Sequence, residues 1–143
     1  MADDLSVPGV SGAAPRWGRI RAADGRVVSV RRRWLPLSAS IVETLYLAGI
    51  GRPRDGVCVV DYHVDRGSPD YVTLDMVHSA RRTGLATVMA AERCLDAIAR
   101  QRAARGIVAH VTNPRITDRL LRRLGWVPHQ THWRGRHWIK RFE

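Results

Sequence analysis

The stretch Arg81-Arg82-Thr83-Gly84-Leu85-Ala86 joins a predicted strand to a predicted helix and has the composition of a phosphate-binding turn. The first N–H groups of a helix have no partner within the helix, and the helix dipole places positive charge there. Gly84 and Ala86 lack bulk, so a pyrophosphate can approach the main chain closely, and Arg81 and Arg82 add positive charge. The stretch therefore indicates an anion site. The alternative interpretation is that Gly84 only begins the helix and both arginines are solvated.

The last part of the chain is rich in histidine and tryptophan. His129 and His132 are three residues apart, which places them on opposite faces of a strand, and no cysteine or acid accompanies them. We therefore expect no metal site. Three tryptophans lie among arginines in the same segment and suggest a stacking surface for nucleic acid: Trp126, Trp133 and Trp138. The alternative is that some of these rings fill the core of a small sheet.

Positive charge is concentrated in the C-terminal third of the chain. The sequence has 24 Lys+Arg against 13 Asp+Glu, and its formal net charge is +11. Residues 100–143 hold 11 of the basic residues but only two acids. Such an excess attracts phosphate-bearing partners, so we expect an RNA or tRNA surface, or in the alternative a merely solvated face. The arginines of one predicted helix would form it, continued by the terminal segment: Arg115, Arg119, Arg122 and Arg123, then Arg134, Arg136, Lys140 and Arg141.

Hydrophobic periodicity divides the chain into strands and helices that form one domain over residues 16–143, after a disordered lead-in over residues 1–15. The pattern predicts a hairpin over 16–35 and a short helix that begins at Ser38 or Ser40. Beyond these it predicts strands over 57–64, 71–77 and 107–111, helices over 84–105 and 114–124, and a terminal hairpin over 126–142. Gly106 and Gly125 are expected to end the two later helices.

Several classes of protein are excluded by what the sequence lacks. No apolar run approaches the ~20 residues that a membrane span needs, so no membrane partner is expected. The first residues, Met1-Ala2-Asp3-Asp4, are acidic and do not resemble a secretory signal. Cys58 and Cys94 are far apart and match no metal-ligand spacing, so we expect buried, reduced thiols. We expect a soluble, cytoplasmic protein, with the oligomeric state, a dimer included, left open.

The order of the elements and two motifs resemble the GNAT superfamily of acyl-CoA N-acyltransferases. Arg81–Ala86 is similar to the family signature Gln/Arg-x-x-Gly-x-Gly/Ala, which follows a central strand and opens a helix. Leu120–Trp126 is similar to the family's helix that closes on Leu-Gly-Phe. The resemblance covers residues 57–143. It implies an α/β (α+β) fold, a single GNAT-like domain whose mixed central β-sheet is flanked by helices and ends in a C-terminal β-hairpin.

The resemblance also implies a cofactor, acetyl-CoA or another acyl-CoA, and a set of residues that contact it. The backbone amides of the turn would hold the pyrophosphate, and the main chain of the preceding strand would pair with the pantetheine arm. Asn113 looks like the residue that often contacts pantetheine, with a helix N-cap as the alternative role. The implied cofactor-binding residues are Met76, Val77, Arg81, Arg82, Thr83, Gly84, Leu85, Ala86 and Asn113.

One departure from the family pattern concerns catalysis. Many GNAT enzymes have a tyrosine, the general acid for the departing thiolate, four residues before the glycine of the second motif, where this chain has Leu121. Transfer to an amine also needs a base or a water chain. The catalytic candidates are Asp75, Asp70 and His78, and each has a structural role as its alternative. Alternation along the strand places Asp75 on the face opposite Leu74 and Met76, and His110 on the neighbouring strand is a further candidate.

Two functional hypotheses follow from these residues. The first is an acyl-CoA-dependent N-acyltransferase that transfers an acyl group from the CoA thioester to an amine, as the Arg81–Ala86 turn favours. The alternative is a catalytically weak or inactive GNAT-like domain that binds RNA, the ribosome or a protein through its basic C-terminal face, as Leu121 favours. An acyltransferase acting on charged tRNA would combine both features.

Overall fold

The computed structural model describes residues 14–33, 55–80, 82–111, 116–130, 132 and 134–142. These residues form a mixed α+β fold with more strand than helix. The strands are β1 (Trp17–Ala23), β2 (Arg26–Arg32), β3 (Val57–His63), β4 (Tyr71–Ser79), β5 (Gly106–Val111), β6 (Val127–Pro128) and β7 (Arg136–Arg141). The helices are α1 (Leu85–Gln101) and α2 (Asp118–Arg123).

The seven strands form one sheet in the order β2-β1-β3-β4-β5-β7-β6. Every neighbouring pair is antiparallel except β4 and β5, which are parallel. Parallel strands need a long crossover connection, and α1 supplies it between β4 and β5. The mixed sheet, the helices and the terminal β6–β7 pairing agree with the predicted fold class in these coarse features.

The parallel ladder between β4 and β5 stops midway along both strands. It covers Tyr71–Leu74 against Gly106–Ala109. Beyond that point β4 continues to Ser79, paired on its other side with β3, and β5 continues to Val111, paired with β7. The edge of β4 from Asp75 to Ser79 that faces β5 therefore has no partner strand among the described residues. We call this opening the β4–β5 cleft.

A β-bulge interrupts β4 where the cleft begins. Asp61 pairs with Met76 and Tyr62 pairs with Leu74, so Asp75 is an extra residue in the strand. The prediction from simple alternation, with Asp75 opposite both Leu74 and Met76, is wrong for Met76. The bulge shifts the alternation by one residue and places Met76 across from Asp61, on the face where Asp75 makes its contacts.

The core lies between α1 and one face of the sheet. Leu95, Ile98 and Ala91 of α1 pack against buried side chains of the strands, among them Ile20 and Tyr62. Gly18 is required here because a Cβ atom at this position would lie 2.4 Å from the Tyr62 ring. Both cysteines are buried free thiols, as predicted, and burial raises the pKa of each to about 11: Cys58 and Cys94.

Most predicted elements are present, and their ends differ for local reasons. Helix α1 ends at Gln101 rather than near residue 105, because Ala103 is left-handed and the Ala104 amide donates to the Ala99 carbonyl, which closes the helix. Gly106 is not a cap but the first residue of β5, where a Cβ would lie 2.7 Å from the Lys140 carbonyl oxygen. The short helix predicted from Ser38 or Ser40 lies outside the described residues.

The described end of the expected N-terminal lead-in is packed against the fold. Ala14 is buried, and its carbonyl accepts a hydrogen bond from Arg102 at 2.5 Å. The Tyr62 hydroxyl donates to the Pro15 carbonyl at 2.9 Å. None of the described helices is long and apolar enough to cross a membrane.

Candidate active site

The N-terminus of α1 presents backbone amides to open space. Gly84 is the N-cap with extended backbone (φ −72°, ψ 158°), and no side chain caps the helix. The Thr87 and Val88 amides donate to the Gly84 carbonyl, whereas the Gly84, Leu85 and Ala86 amides have no partner among the described residues. No described residue outside the immediate chain neighbours and the helix lies within 4 Å of where a Cβ at Gly84 would be, and Leu85 is 66% exposed. These are the properties of an anion-binding helix terminus.

The turn that leads into α1 is held by its own hydrogen bonds. The Ala80 amide donates to the Val57 carbonyl at 3.0 Å, and the Thr83 amide donates to the Ala80 carbonyl at 3.2 Å. The Thr83 hydroxyl donates to the same Ala80 oxygen at 2.7 Å. Arg82 is exposed and left-handed (φ 62°), and Arg81 lies outside the described residues. The Thr83 amide is therefore used within the turn, and the Gly84, Leu85 and Ala86 amides follow it.

The cleft and the helix terminus are consecutive along the chain. The open edge of β4 includes Met76 and Val77, and the turn connects it directly to Gly84. Val77 pairs with Val60 on the α1 side of the sheet, whereas Met76 pairs with Asp61 on the other side. An elongated ligand with an anionic end can therefore lie against the β4 edge and reach the α1 amides.

Two aspartates on the face of the sheet opposite α1 hold three basic side chains in one cluster. Asp61 is fully buried and is bound by Arg19 in a bidentate pair at 2.8 and 3.0 Å. Asp75 accepts from Arg33 at 2.5 Å and lies 2.7 Å from Nδ1 of His63. Arg33 joins the two halves, since its other nitrogen lies 3.7 Å from Asp61. We call these five residues the acid–base cluster.

His63 is the member of this cluster that can move a proton. A carboxylate only accepts hydrogen bonds, so Nδ1 carries the hydrogen that Asp75 receives, and in the neutral ring Nε2 is the nitrogen that can take up a proton. The ring stacks on Trp17 with centroids 4.4 Å apart, and the Arg33 guanidinium lies 5.2 Å from the Trp17 centroid. Asp75, predicted as the base, is therefore placed to orient His63, while it forms an ion pair with Arg33.

Sequence reasoning singled out Asp75 but missed His63, Asp61 and Arg33. The available signal was Asp61, an acid inside the apolar run Val57–Val60 of a predicted central strand, because a buried carboxylate requires a basic partner. His63 follows two residues later and so shares its face. The chain distance hid the remaining partners, since Arg33 and Asp75 are 42 residues apart.

The other predicted catalytic residues are not gathered around Asp75. Asp70 is exposed in the turn before β4, about 16 Å along the strand from Asp75. His78 pairs with Val59 near the end of β4. His110 lies on β5 beyond the end of the parallel ladder, exposed and stacked on His137 at 4.4 Å. Asn113 lies outside the described residues, as does Arg115.

The position where the family pattern has a tyrosine belongs to the core. Leu121 is 6% exposed and packs in the main hydrophobic cluster. Its carbonyl accepts from the Trp126 amide at 2.9 Å, which closes α2 onto the following segment. Thr117, one turn earlier, caps α2 by accepting from the Leu120 amide. Leu121 therefore has no group that donates a proton, and the Thr117 hydroxyl oxygen is engaged at the start of α2.

The predicted basic surface is smaller than expected. Lys140 is bound to Glu92 and lies 2.7 Å from Asp96, and Arg136 pairs with Asp118 at 2.6 Å. The carboxylates of α1 and α2 therefore offset the charge of these two bases, whereas the other two predicted members, Arg134 and Arg141, are exposed. Exposed arginines remain on α2, namely Arg119, Arg122 and Arg123, with Arg122 5.5 Å from the centroid of the Trp138 ring.

The tryptophans that the structure describes in this segment fill the core. Trp126 and Trp138 are each 3% exposed. They cannot offer flat faces to nucleic-acid bases, so the core interpretation holds for both. Trp133 lies outside the described residues.

Comparisons of the chain with models of protein families, with curated proteins and with solved structures find no match. In the part of the chain that the structure describes, no three His, Cys, Asp or Glu side chains are grouped as a metal site. Function is therefore inferred from the residues and geometry of this chain alone.

Proposed function

We propose that this protein is an acyl-CoA-dependent N-acyltransferase. The observation that carries the proposal is the continuity of the open β4 edge with the unpartnered amides of the α1 N-terminus. An acyl-CoA molecule has a matching layout, with an amide-containing arm and a pyrophosphate at its far end. The acid–base cluster begins at the bulge where the cleft opens, so a proton acceptor lies beside the same site.

The residues present fit an acyl-CoA. The Gly84, Leu85 and Ala86 amides would bind the pyrophosphate, because they are free and no atom crowds Gly84. The β4 edge beyond Leu74, with Met76 and Val77, would pair with the pantetheine amides as a sheet pairs with an added strand. Bound acyl-CoA would supply the thioester carbonyl that the amine attacks.

His63 would act as the general base toward the acceptor amine. An ammonium group has no lone pair, so Nε2 of His63 must take a proton before or during attack. The Asp75 carboxylate at 2.7 Å fixes the ring and stabilises the positive charge that the ring gains. Arg33, which binds Asp75 at 2.5 Å, and Trp17, which stacks on the ring, keep both side chains in place. The buried Leu121 takes no part in proton transfer.

Binding of acetyl-CoA tests the cofactor assignment directly. Gly84 has backbone angles that any residue adopts and an empty space around its Cβ position, so Gly84→Ala and Gly84→Glu should both fold. We expect acetyl-CoA to raise the melting temperature of the wild type and of Gly84→Ala. A ligand at a hundredfold its Kd stabilises by about 2.7 kcal/mol. The Gly84→Glu carboxylate should abolish this shift, because it places negative charge at the pyrophosphate position.

Two results of this thermal-shift titration would contradict the proposal. One is a wild type that shows no shift at millimolar acetyl-CoA. The other is a Gly84→Glu variant that binds as well as Gly84→Ala does. Release of free CoA thiol on incubation with a panel of amines then tests for turnover.

A second candidate function is binding of RNA, the ribosome or a charged tRNA through α2. It is favoured by the three exposed arginines of that short helix, Arg119, Arg122 and Arg123. The loss of Lys140 and Arg136 to ion pairs weakens it, as does the burial of Trp138.

A further inference from the structure

A pocket of about 710 Å³ lies at the end of the sheet where β1 begins and where β2 and β3 end. Its volume is within the range of small-molecule sites. Its wall includes four arginines and two aromatic rings: Arg16, Arg32, Arg66 and Arg102, with Trp17 and His63. The pocket is therefore built from the N-terminal hairpin, the end of β3 and the turn after α1, none of which is needed to hold an acyl-CoA.

The positive charge of this pocket is not neutralised within the described chain. Asp65 is the one acid among the described residues of its wall, and its carboxylate accepts from the Gly67 amide at 2.9 Å. Arg32 and Arg66 are exposed and have no ion-pair partner among the described residues. Arg16 and Arg102 donate to backbone carbonyls, which are neutral, and Nε of Arg102 is buried without a partner. Guanidinium groups with unused donors bind carboxylates and phosphates well.

The pocket and the acid–base cluster share His63, whose ring stacks on Trp17. His63 lines the pocket while its Nδ1 is bound to Asp75, so a molecule in the pocket lies against the ring whose Nε2 is available. Trp17 lines the same wall and stacks on His63 at 4.4 Å. A ligand held by the arginines would thus be positioned with its remaining part next to the proton acceptor.

We propose that this pocket binds the acceptor, and that the acceptor is an amine carrying an oxyanion, either a carboxylate or a phosphate. The arginines bind the oxyanion, and the amine points toward His63. The transfer step rests on the proposed function, whereas binding of the anion by this pocket does not depend on it.

Binding is tested on the full chain without acyl-CoA, so that the result is independent of turnover. The probes are two matched pairs: phenylalanine with phenethylamine, and phosphoethanolamine with ethanolamine. By isothermal titration we expect the member of one pair that carries the oxyanion to bind at least about tenfold more tightly than its partner that lacks it. The pair that shows this difference identifies the oxyanion as a carboxylate or a phosphate.

Substitutions assign the binding to the pocket. Arg32→Gln and Arg66→Gln should each lower the affinity for the anionic probe about tenfold, because each removes a charged hydrogen-bond donor. Both residues are exposed, so the variants should keep the wild-type melting temperature. The matched control is Arg26→Gln, an exposed arginine at the opposite end of β2, which should bind as the wild type does.

The outcomes separate this inference from the proposed function. Equal binding of the members with and without the oxyanion in both pairs overturns the inference, as does a loss in Arg26→Gln equal to that in Arg66→Gln. Arginine-dependent binding without CoA thiol release retains the anion site and overturns the acyl transfer. Thiol release with amines that carry no oxyanion, if Arg66→Gln leaves it unchanged, retains the acyl transfer and overturns the inference.

Discussion

At the scale of single residues, the site depends on the division of tasks between His63 and Asp75. Asp75 lies at a bulge and is bound by Arg33 and His63, so its carboxylate has little freedom to take a proton from a substrate. His63 keeps Nε2 available while its other nitrogen is fixed. The pair therefore acts as one unit, and its two members are not independent catalytic groups.

We expect His63→Gln to lower kcat by the ~10²–10⁴-fold that loss of an acid–base group produces, with the Kd for acetyl-CoA unchanged. Asp75→Asn should also lower kcat, and the double variant should be no slower than His63→Gln alone, because the two residues act together. Asp70→Asn should remain near wild-type activity, since Asp70 is exposed at the other end of β4. Steady-state kinetics on the four variants and the wild type checks this. Losses of kcat that multiply in the double variant would refute the coupling.

At the scale of secondary-structure elements, the β4–β5 cleft exists because the parallel ladder covers only part of these two strands. Residues 71–74 of β4 pair with β5, and residues 73 and 74 also pair with β3, whereas residues 76–79 pair with β3 alone. The same strand is therefore a structural element in its first half and a binding edge in its second half. The bulge lies at the boundary between the two halves and turns Asp75 toward His63.

Hydrogen exchange can distinguish these two halves. We expect acetyl-CoA to slow amide exchange in peptides that cover Asp75–Ser79 and Gly84–Ala86, because the ligand would bond to main-chain groups there. Exchange over Tyr71–Leu74 should change little, since this half of β4 is already paired with β5. Mass spectrometry with and without the ligand measures this. Protection confined to α2 would instead place the ligand on the wrong element.

At the scale of the whole molecule, buried and exposed charge have different consequences. Lys140 of β7 binds Glu92 and Asp96 of α1, and all three side chains are largely buried. Burial would lower the pKa of Lys140, but its hydrogen bonds to Asp96 and Glu92 outweigh this and raise it. Burial raises the pKa of Glu92, and the nearby charge of Asp96 adds to the effect. One lysine thus supports two carboxylates between the helix and the sheet.

Substitution at this cluster should make stability depend on pH in a defined direction. Lys140→Met leaves two largely buried carboxylates without a cation, so we expect a loss of about 3–5 kcal/mol near neutral pH. The loss should shrink as pH falls, because Glu92, whose pKa burial already raises, then takes up a proton. Urea unfolding at several pH values measures it, and a loss that grows at acidic pH would contradict this account.

The Glu92→Gln variant tests how one carboxylate of the same cluster makes the stability of the wild type depend on pH. Because the folded protein raises the pKa of Glu92, the folded state holds the proton more tightly than the unfolded state does. Wild-type stability therefore falls as pH rises from the ordinary value through the raised one, and Glu92→Gln removes that part of the slope. The same urea series provides the comparison.

The exposed arginines of α2 give the whole molecule a testable electrostatic property. With a net charge of +11, we expect salt-sensitive binding to RNA, with log K falling as log[salt] rises. Neutralising Arg119, Arg122 and Arg123 together should weaken this binding and leave the acetyl-CoA thermal shift intact, because the two surfaces are on different elements. Filter binding at low salt measures it, and no retention of RNA would favour a solvated face.

The sequence by itself determined the elements and the turn. Strands β1 to β5 and helix α1 follow from hydrophobic periods that are local, and the turn at Asp24-Gly25 and the start of α1 at Gly84 follow from residue types at those positions. These features depend on neighbours along the chain, so a single sequence is sufficient to predict them.

Only the tertiary structure decided which side chains meet. The pairing of Arg33 with Asp75 joins residues 42 apart, and that of Lys140 with Glu92 joins residues 48 apart. The bulge at Asp75 depends on the register between β3 and β4 and has no local signature in the chain. Such contacts are selected by packing of the whole sheet, and many partners of each charge are available in a chain this rich in arginine. For this reason the sequence indicated Asp75, and only the fold identified His63 as the residue that Asp75 orients.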